Sequence, residues 1–117
     1  MVTTKRLHEK LTKENLWIFI MHLLHTEGPL PGVLIKKRLE EKYGVKFGNV
    51  LHYKVLYNLE KKGLVRKFKH KLGKVYEVTE EGLKHLNEGI QMMERYLNLL
   101  KQGVSANEIV PEPELEK

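Results

Sequence analysis

The sequence predicts a mainly α fold with a small β-hairpin, an α+β class. Three observations carry that expectation. Four segments repeat their apolar residues at helical spacing. Two short alternating segments flank a single glycine-bearing turn at Gly73. The last helical segment places Leu83, Leu86, Ile90, Met93, Leu97 and Leu100 at spacings of 3, 4, 3, 4 and 3.

Taken in order, residues 1–11 form a polar N-terminal extension, loose or partly helical. Thr12 offers a hydroxyl cap to a helix from Lys13 to His25. That helix is apolar almost all round, where a surface helix shows one stripe. Cover from a second subunit is therefore expected. Gly28-Pro29-Leu30-Pro31-Gly32 is a tight connector, and Val33–Tyr43 follows as helix with Gly44 as its C-terminal cap. A third helix is expected over Asn49–Lys62, closed by Gly63. Its core positions are Val55, Leu56 and Leu59, with His52 one turn earlier, where the stripe is imperfect. Leu64–His70 and Val75–Val78 read as strands around the turn Lys71-Leu72-Gly73-Lys74. Thr79 caps the last helix, and Glu80 and Glu81 suit its positive end. Gly82 and Gly89 within it weaken the helix and favour close approach. The 3,4 spacing is the seam of a coiled coil. It reads as a dimerisation surface or as packing on the chain's own core.

Three helices followed by a hairpin is the order of a winged helix-turn-helix. The expected organisation is an extension at 1–11, a winged-helix unit at 12–78, a C-terminal dimerisation helix at 79–102, and an acidic, disordered tail at 103–117.

The 117 residues suffice for one modest core. Without cysteine there is no disulfide, thiolate metal site or cysteine nucleophile. The most apolar run, Leu16–Leu24, is too short to cross a membrane. The expectation is a soluble, cytoplasmic chain. The net charge of +6 is unevenly spread: residues 36–77 carry 13 basic and 4 acidic groups, whereas residues 78–117 carry 4 and 8. Such asymmetry points to a polyanion-binding face. His22 and His25 lie three apart on one helix, but no third ligand pattern accompanies them. No catalytic set and no phosphate-binding glycine loop emerges. The chain is expected to be no enzyme and to need no cofactor or metal.

Residues 12–100 resemble PadR-type transcriptional regulators. The likeness rests on the apolar first helix with its Gly28–Gly32 connector. It rests also on Tyr53-Lys54-Val55-Leu56-Tyr57-Asn58-Leu59-Glu60-Lys61-Lys62-Gly63-Leu64-Val65, on Val75-Tyr76-Glu77-Val78-Thr79-Glu80-Glu81-Gly82, and on the long helix that follows. The resemblance implies a homodimer that binds a palindromic operator, usually as a repressor, and dimerises through its first and last helices. Leu51-His52 and Val33 depart from the family's usual pattern.

In a helix-turn-helix the recognition helix enters the major groove by its N-terminal residues. Here these are Asn49, Val50, His52, Tyr53 and Lys54. Asparagine pairs with adenine and lysine with guanine acceptors. Asn49 reads equally as a helix cap, His52 as a buried or solvated ring, and Tyr53 as core with a polar tip. The hairpin concentrates Lys67, Lys69, Lys71 and Lys74, with Arg66 beside them. Lys67, Lys69 and Lys71 alternate onto one face, which phosphates would neutralise. Lys36, Lys37 and Arg38 are further phosphate candidates. Dimerisation is assigned to Leu16, Trp17, Ile20, Leu86, Ile90, Met93, Leu97 and Leu100. Trp17 reads as core, or as the wall of a small-molecule effector pocket at the dimer interface. The expected function is a homodimeric, sequence-specific binder of double-stranded DNA that represses transcription. Two alternatives are a non-specific architectural DNA binder and a winged helix devoted to protein association.

Overall fold

The computed structural model describes residues 2–71 and 73–104. Five helices and three strands follow one another as α1 Val2–Lys13, α2 Leu16–Glu27, β1 Leu30–Pro31, α3 Gly32–Tyr43, α4 Leu51–Lys61, β2 Val65–His70, β3 Gly73–Val78 and α5 Glu80–Lys101. The strands form an antiparallel sheet in the order β1-β3-β2. The α+β class and the winged-helix order are as expected.

The core gathers on α2. Leu16, Ile18, Ile20, Met21, Leu23 and Leu24 are buried there, against Ile35 and Leu39 of α3, Leu56 and Leu59 of α4, Tyr76 of β3 and Leu86 of α5. So the chain covers this nearly all-apolar helix by itself. A helix surrounded by other elements has no free face to mark with polar residues, and the expected second subunit is not needed to bury Leu16 or Ile20.

Several boundaries differ from the expectation. The N-terminal extension is helical through Lys13, and Thr12 caps nothing: buried in the last turn, its hydroxyl donates to the His8 carbonyl at 2.8 Å. The core helix starts only at Leu16. Leu30 and Pro31 pair with Tyr76 and Val75 as a short third strand. The hairpin pairing runs through Lys69↔Lys74 to His70↔Gly73, so Lys74 belongs to β3 and not to the turn. Leu72 and tail residues 105–117 lie outside the described residues.

The caps of α4 and α5 bind the fold together. After α4 the chain turns at Gly63, whose φ of +74° suits glycine. The Leu64 N–H then donates back to the Leu59 carbonyl at 2.9 Å and Gly63 N–H to Glu60 at 3.0 Å. Thr79 caps α5 as expected, its hydroxyl oxygen accepting from the Gly82 N–H at 3.0 Å. That hydroxyl also donates to the Gly63 carbonyl at 2.7 Å, and the Thr79 N–H donates to the Leu64 carbonyl at 3.1 Å. Gly82 allows this closeness. A β-carbon there would stand 2.1 Å from the Leu64 carbonyl oxygen.

The heptad seam on α5 divides in two. Its first part, Leu83 and Leu86, packs on the core. Beyond Gly89, which lies against the Trp17 ring, the side chains face away from the rest of the chain. Ile90, Met93, Leu97 and Leu100 are 39 to 74% exposed, and Met92, Tyr96 and Leu99 are exposed beside them.

Candidate nucleic-acid interface

The interface is built on α4. His52, Leu56 and Leu59 repeat at helical spacing and turn inward, leaving Tyr53, Lys54, Tyr57, Asn58 and Lys61 on the exposed side. Two contacts seat the helix. The Tyr53 ring lies against Gly32, as does that of Tyr76, and a β-carbon at Gly32 would meet each ring at 3.1 Å. The Glu60 carboxylate holds the Lys67 ammonium at 3.6 Å, joining α4 to β2. The hairpin therefore stands beside the exposed face of α4.

The antiparallel register sorts the hairpin's side chains. Lys67 and Lys69 share one face with their partners Tyr76 and Lys74, while Arg66, Phe68 and His70 take the other. Lys67 reaches Glu60 of α4, so the lysine face is the one turned toward α4. Lys69 and Lys74 are directly paired across the strands and exposed. Like charges in that position repel unless an anion sits between them. Lys71 is exposed next to them.

The expected DNA-contacting residues thus divide. Tyr53, Lys54, Lys69, Lys71 and Lys74 are exposed. Lys67 is half-buried and engaged by Glu60. Asn49 precedes α4 and is exposed, with Val50 rather than Asn49 at the cap position. His52 is withdrawn: only 3% of it is accessible, its ring lies between Phe47 at 5.5 Å and Tyr53 at 4.1 Å between centroids, and its Nδ1 has no hydrogen-bond partner. Burial, and then the Lys36 ammonium, hold His52 below the usual histidine range, so the neutral ring belongs to the folded state. Its position in the Leu56–Leu59 stripe explains the burial, and it offers nothing to a base.

Lys36 and Arg38 are also occupied. Lys36 pairs with Glu40 at 2.9 Å, and Arg38 with Glu27 at 2.7 Å and Glu41 at 2.9 Å. Lys37 is exposed. Tyr57 and Lys61 were not among the expected residues, although both stand exposed on the candidate face and the signal was present. They follow Tyr53 at i+4 and i+8 on the face opposite Leu56 and Leu59. The Lys61 ammonium lies 5.4 Å from the centre of the Tyr57 ring.

Of the residues assigned to dimerisation, Leu16, Ile20 and Leu86 are buried in the chain's own core and present nothing to a partner. Trp17 is half-buried. With Val55, Asn58, Leu59, Lys62, Leu64 and His85 it lines a cleft of about 490 Å³ among α2, α4 and α5. His22 is hydrogen-bonded to the Tyr43 hydroxyl, and no group of three or more potential metal ligands occurs among the described residues. No helix there is long and apolar enough to cross a membrane.

Comparison with known proteins agrees with this geometry. No curated protein matches the chain. Among solved structures, a transcriptional regulator from Clostridium thermocellum superposes with a TM-score of 0.70 at 21% identity, covering 82% of this chain and 96% of its own. A PadR family transcription regulator from Clostridium difficile gives 0.62 at 23% identity, covering 76% and 97%. A winged-helix DNA-binding protein from STIV gives 0.56 at 18% identity, covering 80% and 95%. These likenesses establish the winged-helix fold. Residues 20–88, from the core helix to the first turns of α5, match the Transcriptional regulator PadR-like family, and the chain belongs to that family.

Proposed function

We propose that the chain is a sequence-specific repressor that binds double-stranded operator DNA in the cytoplasm as a homodimer. Residues 12–78 form the DNA-binding unit and residues 79–102 the dimerisation helix. The exposed face of α4 enters the major groove, and the hairpin lysines lie along the adjacent phosphates. The observation that carries this reading is the shared orientation of two surfaces. Tyr53, Lys54, Tyr57 and Lys61 on α4 stand beside Lys69 and Lys74 on the hairpin, with Lys67 tied to Glu60 between them. Dimerisation rests on Ile90, Met93, Leu97 and Leu100, an exposed apolar stripe of the kind that partner surfaces cover. The Trp17 cleft is where a small-molecule effector would enter, beside the C-terminal end of α4.

The test is a fluorescence-anisotropy titration of random duplex at about 50 and 200 mM salt, repeated with Lys69→Glu/Lys74→Glu. Each phosphate contact contributes about 0.9 to the slope of log affinity against log salt. The double variant should lower that slope by roughly 1.8. Absence of binding at either salt would refute the DNA reading and favour a winged helix that serves protein association. Equal affinity for every duplex, operator included, would leave an architectural binder.

A further inference from the structure

Basic patches explain affinity for DNA but not which bases are read. The exposed face of α4 is unusual in what it offers the groove. Val50, Tyr53 and Tyr57 stand at i, i+3 and i+7, a single helical stripe, and are 72%, 41% and 59% exposed. Val50 already has helical backbone angles, φ −113° and ψ −28°, so it continues the line of the helix. Lys54 and Lys61 flank the stripe, and both are exposed. The one acidic residue of α4, Glu60, is occupied by Lys67. No arginine, glutamine or glutamate competes for the stripe itself, and Asn58 lies off it.

An apolar stripe bordered by cations suits a polyanion that carries apolar groups between its charges. In the DNA major groove the one apolar group on a base edge is the C5-methyl of thymine. We infer that Val50, Tyr53 and Tyr57 form a thymine-methyl reader, so that this surface selects A·T-rich half-sites by burying C5-methyl groups. The inference rests on the DNA-binding reading above and specifies its ligand. Tyr53 is held by its packing at Gly32 and against the His52 ring, and the Lys61 ammonium lies over the Tyr57 ring. The stripe is therefore ordered before DNA arrives, which limits the entropy lost on binding.

The experiment compares two duplexes of identical charge, alternating d(A-T) and the same sequence with deoxyuridine for thymidine, in anisotropy titrations of the full chain at about 50 mM salt. Burying one methyl group corresponds to about fourfold in affinity. The thymidine duplex should therefore bind more tightly by about that factor for each methyl contacted. Replacing cytosine by 5-methylcytosine in a mixed duplex should raise affinity in the same sense, which separates the methyl group from duplex shape. In Val50→Ser/Tyr57→Ser, both positions being exposed, the preference should fall to what Tyr53 alone supports while the salt dependence stays. Equal binding of the two duplexes overturns the methyl reader but leaves the DNA-binding reading standing. A preference that is undiminished in the double variant overturns the assignment to these residues. Binding to neither duplex overturns the DNA-binding reading and, with it, this inference.

Discussion

Alanine at Gly82 provides the sharpest test of how α5 is mounted. On an isolated helix, Gly→Ala stabilises by about 1 kcal/mol. Here the added β-carbon would stand 2.1 Å from the Leu64 carbonyl oxygen and 2.7 Å from Val78 Cγ2, where ordinary contact begins at 3.4 Å. One backbone would have to retreat by about 1.3 Å from a contact made by two main chains, neither of which can rotate aside. The Leu64 carbonyl is also held in place by the Thr79 N–H at 3.1 Å. Overpacking of this severity costs about 3 kcal/mol, the upper end of its usual range. Loosening the Thr79 cap costs about 1 kcal/mol more. After the helix gain, the net loss is about 3 kcal/mol. At roughly 4 °C per kcal/mol for a chain of this size, Tm should fall by about 12 °C. The assay is thermal unfolding followed by circular dichroism at one fixed protein concentration, because association would shift Tm. Gly89→Ala is the control: its β-carbon meets side chains and no backbone, the far edge of the Trp17 ring at 2.8 Å and Ile18 Cδ1 at 3.4 Å, and a half-buried ring can shift. Its Tm should change far less. A Gly82→Ala protein that melts at or above the parent temperature would refute the close docking of α5 on the root of the hairpin.

Other outcomes follow from particular side chains. His52 is held below its ordinary pKa by burial and by Lys36, which is itself paired with Glu40, with the Tyr53 ring on its other side. Between that lowered value and 6.5 the unfolded chain binds the proton and the folded chain does not, so stability is full above 6.5 and declines as pH falls through this window. His22, lowered by burial and then by Lys42 and His25, adds to the same trend. Urea midpoints at pH 7.5 and 5.5 should therefore differ less in His52→Phe than in the parent, and an unchanged difference would show that His52 does not titrate this way. Ile90→Asp with Leu97→Asp places two charges in the exposed stripe and should yield monomers in sedimentation, whereas a persistent dimer would move the interface elsewhere. Lys69→Ala should weaken DNA binding more than Lys67→Ala, because Lys67 is already partly neutralised by Glu60 at 3.6 Å. Equal losses would show that this ion pair opens on DNA.

The sequence revealed its local patterns well and its long-range ones poorly. The caps at Gly44, Gly63 and Thr79 were legible because each depends on one residue's backbone freedom or hydroxyl. β1 was not, because Leu30 and Pro31 become a strand only by pairing with Tyr76 and Val75, far along the chain. α1 was missed as a full helix because it has only Leu7 and Leu11 as an apolar pair among charges, and both remain exposed. His52 was misplaced by residue type: its spacing from Leu56 and Leu59 indicated the core, but its chemistry suggested the groove. Leu16 and Ile20 show the opposite error. A helix apolar all round was assigned a partner chain when the chain's own four neighbouring helices and sheet supply the cover.

Thr79 joins three elements at one point. Its hydroxyl and amide reach the carbonyls of Gly63 and Leu64, between the end of α4 and the start of β2, while its oxygen caps α5. Gly82 lets the first turn of the helix lie directly against the Leu64 carbonyl. α5 behaves as a shaft keyed to its bearing: torque applied to the overhanging end near Leu100 is delivered at residues 63 and 64 and divided between α4 and the hairpin. Whatever grips that end therefore sets the aim of both surfaces together, as one rigid head.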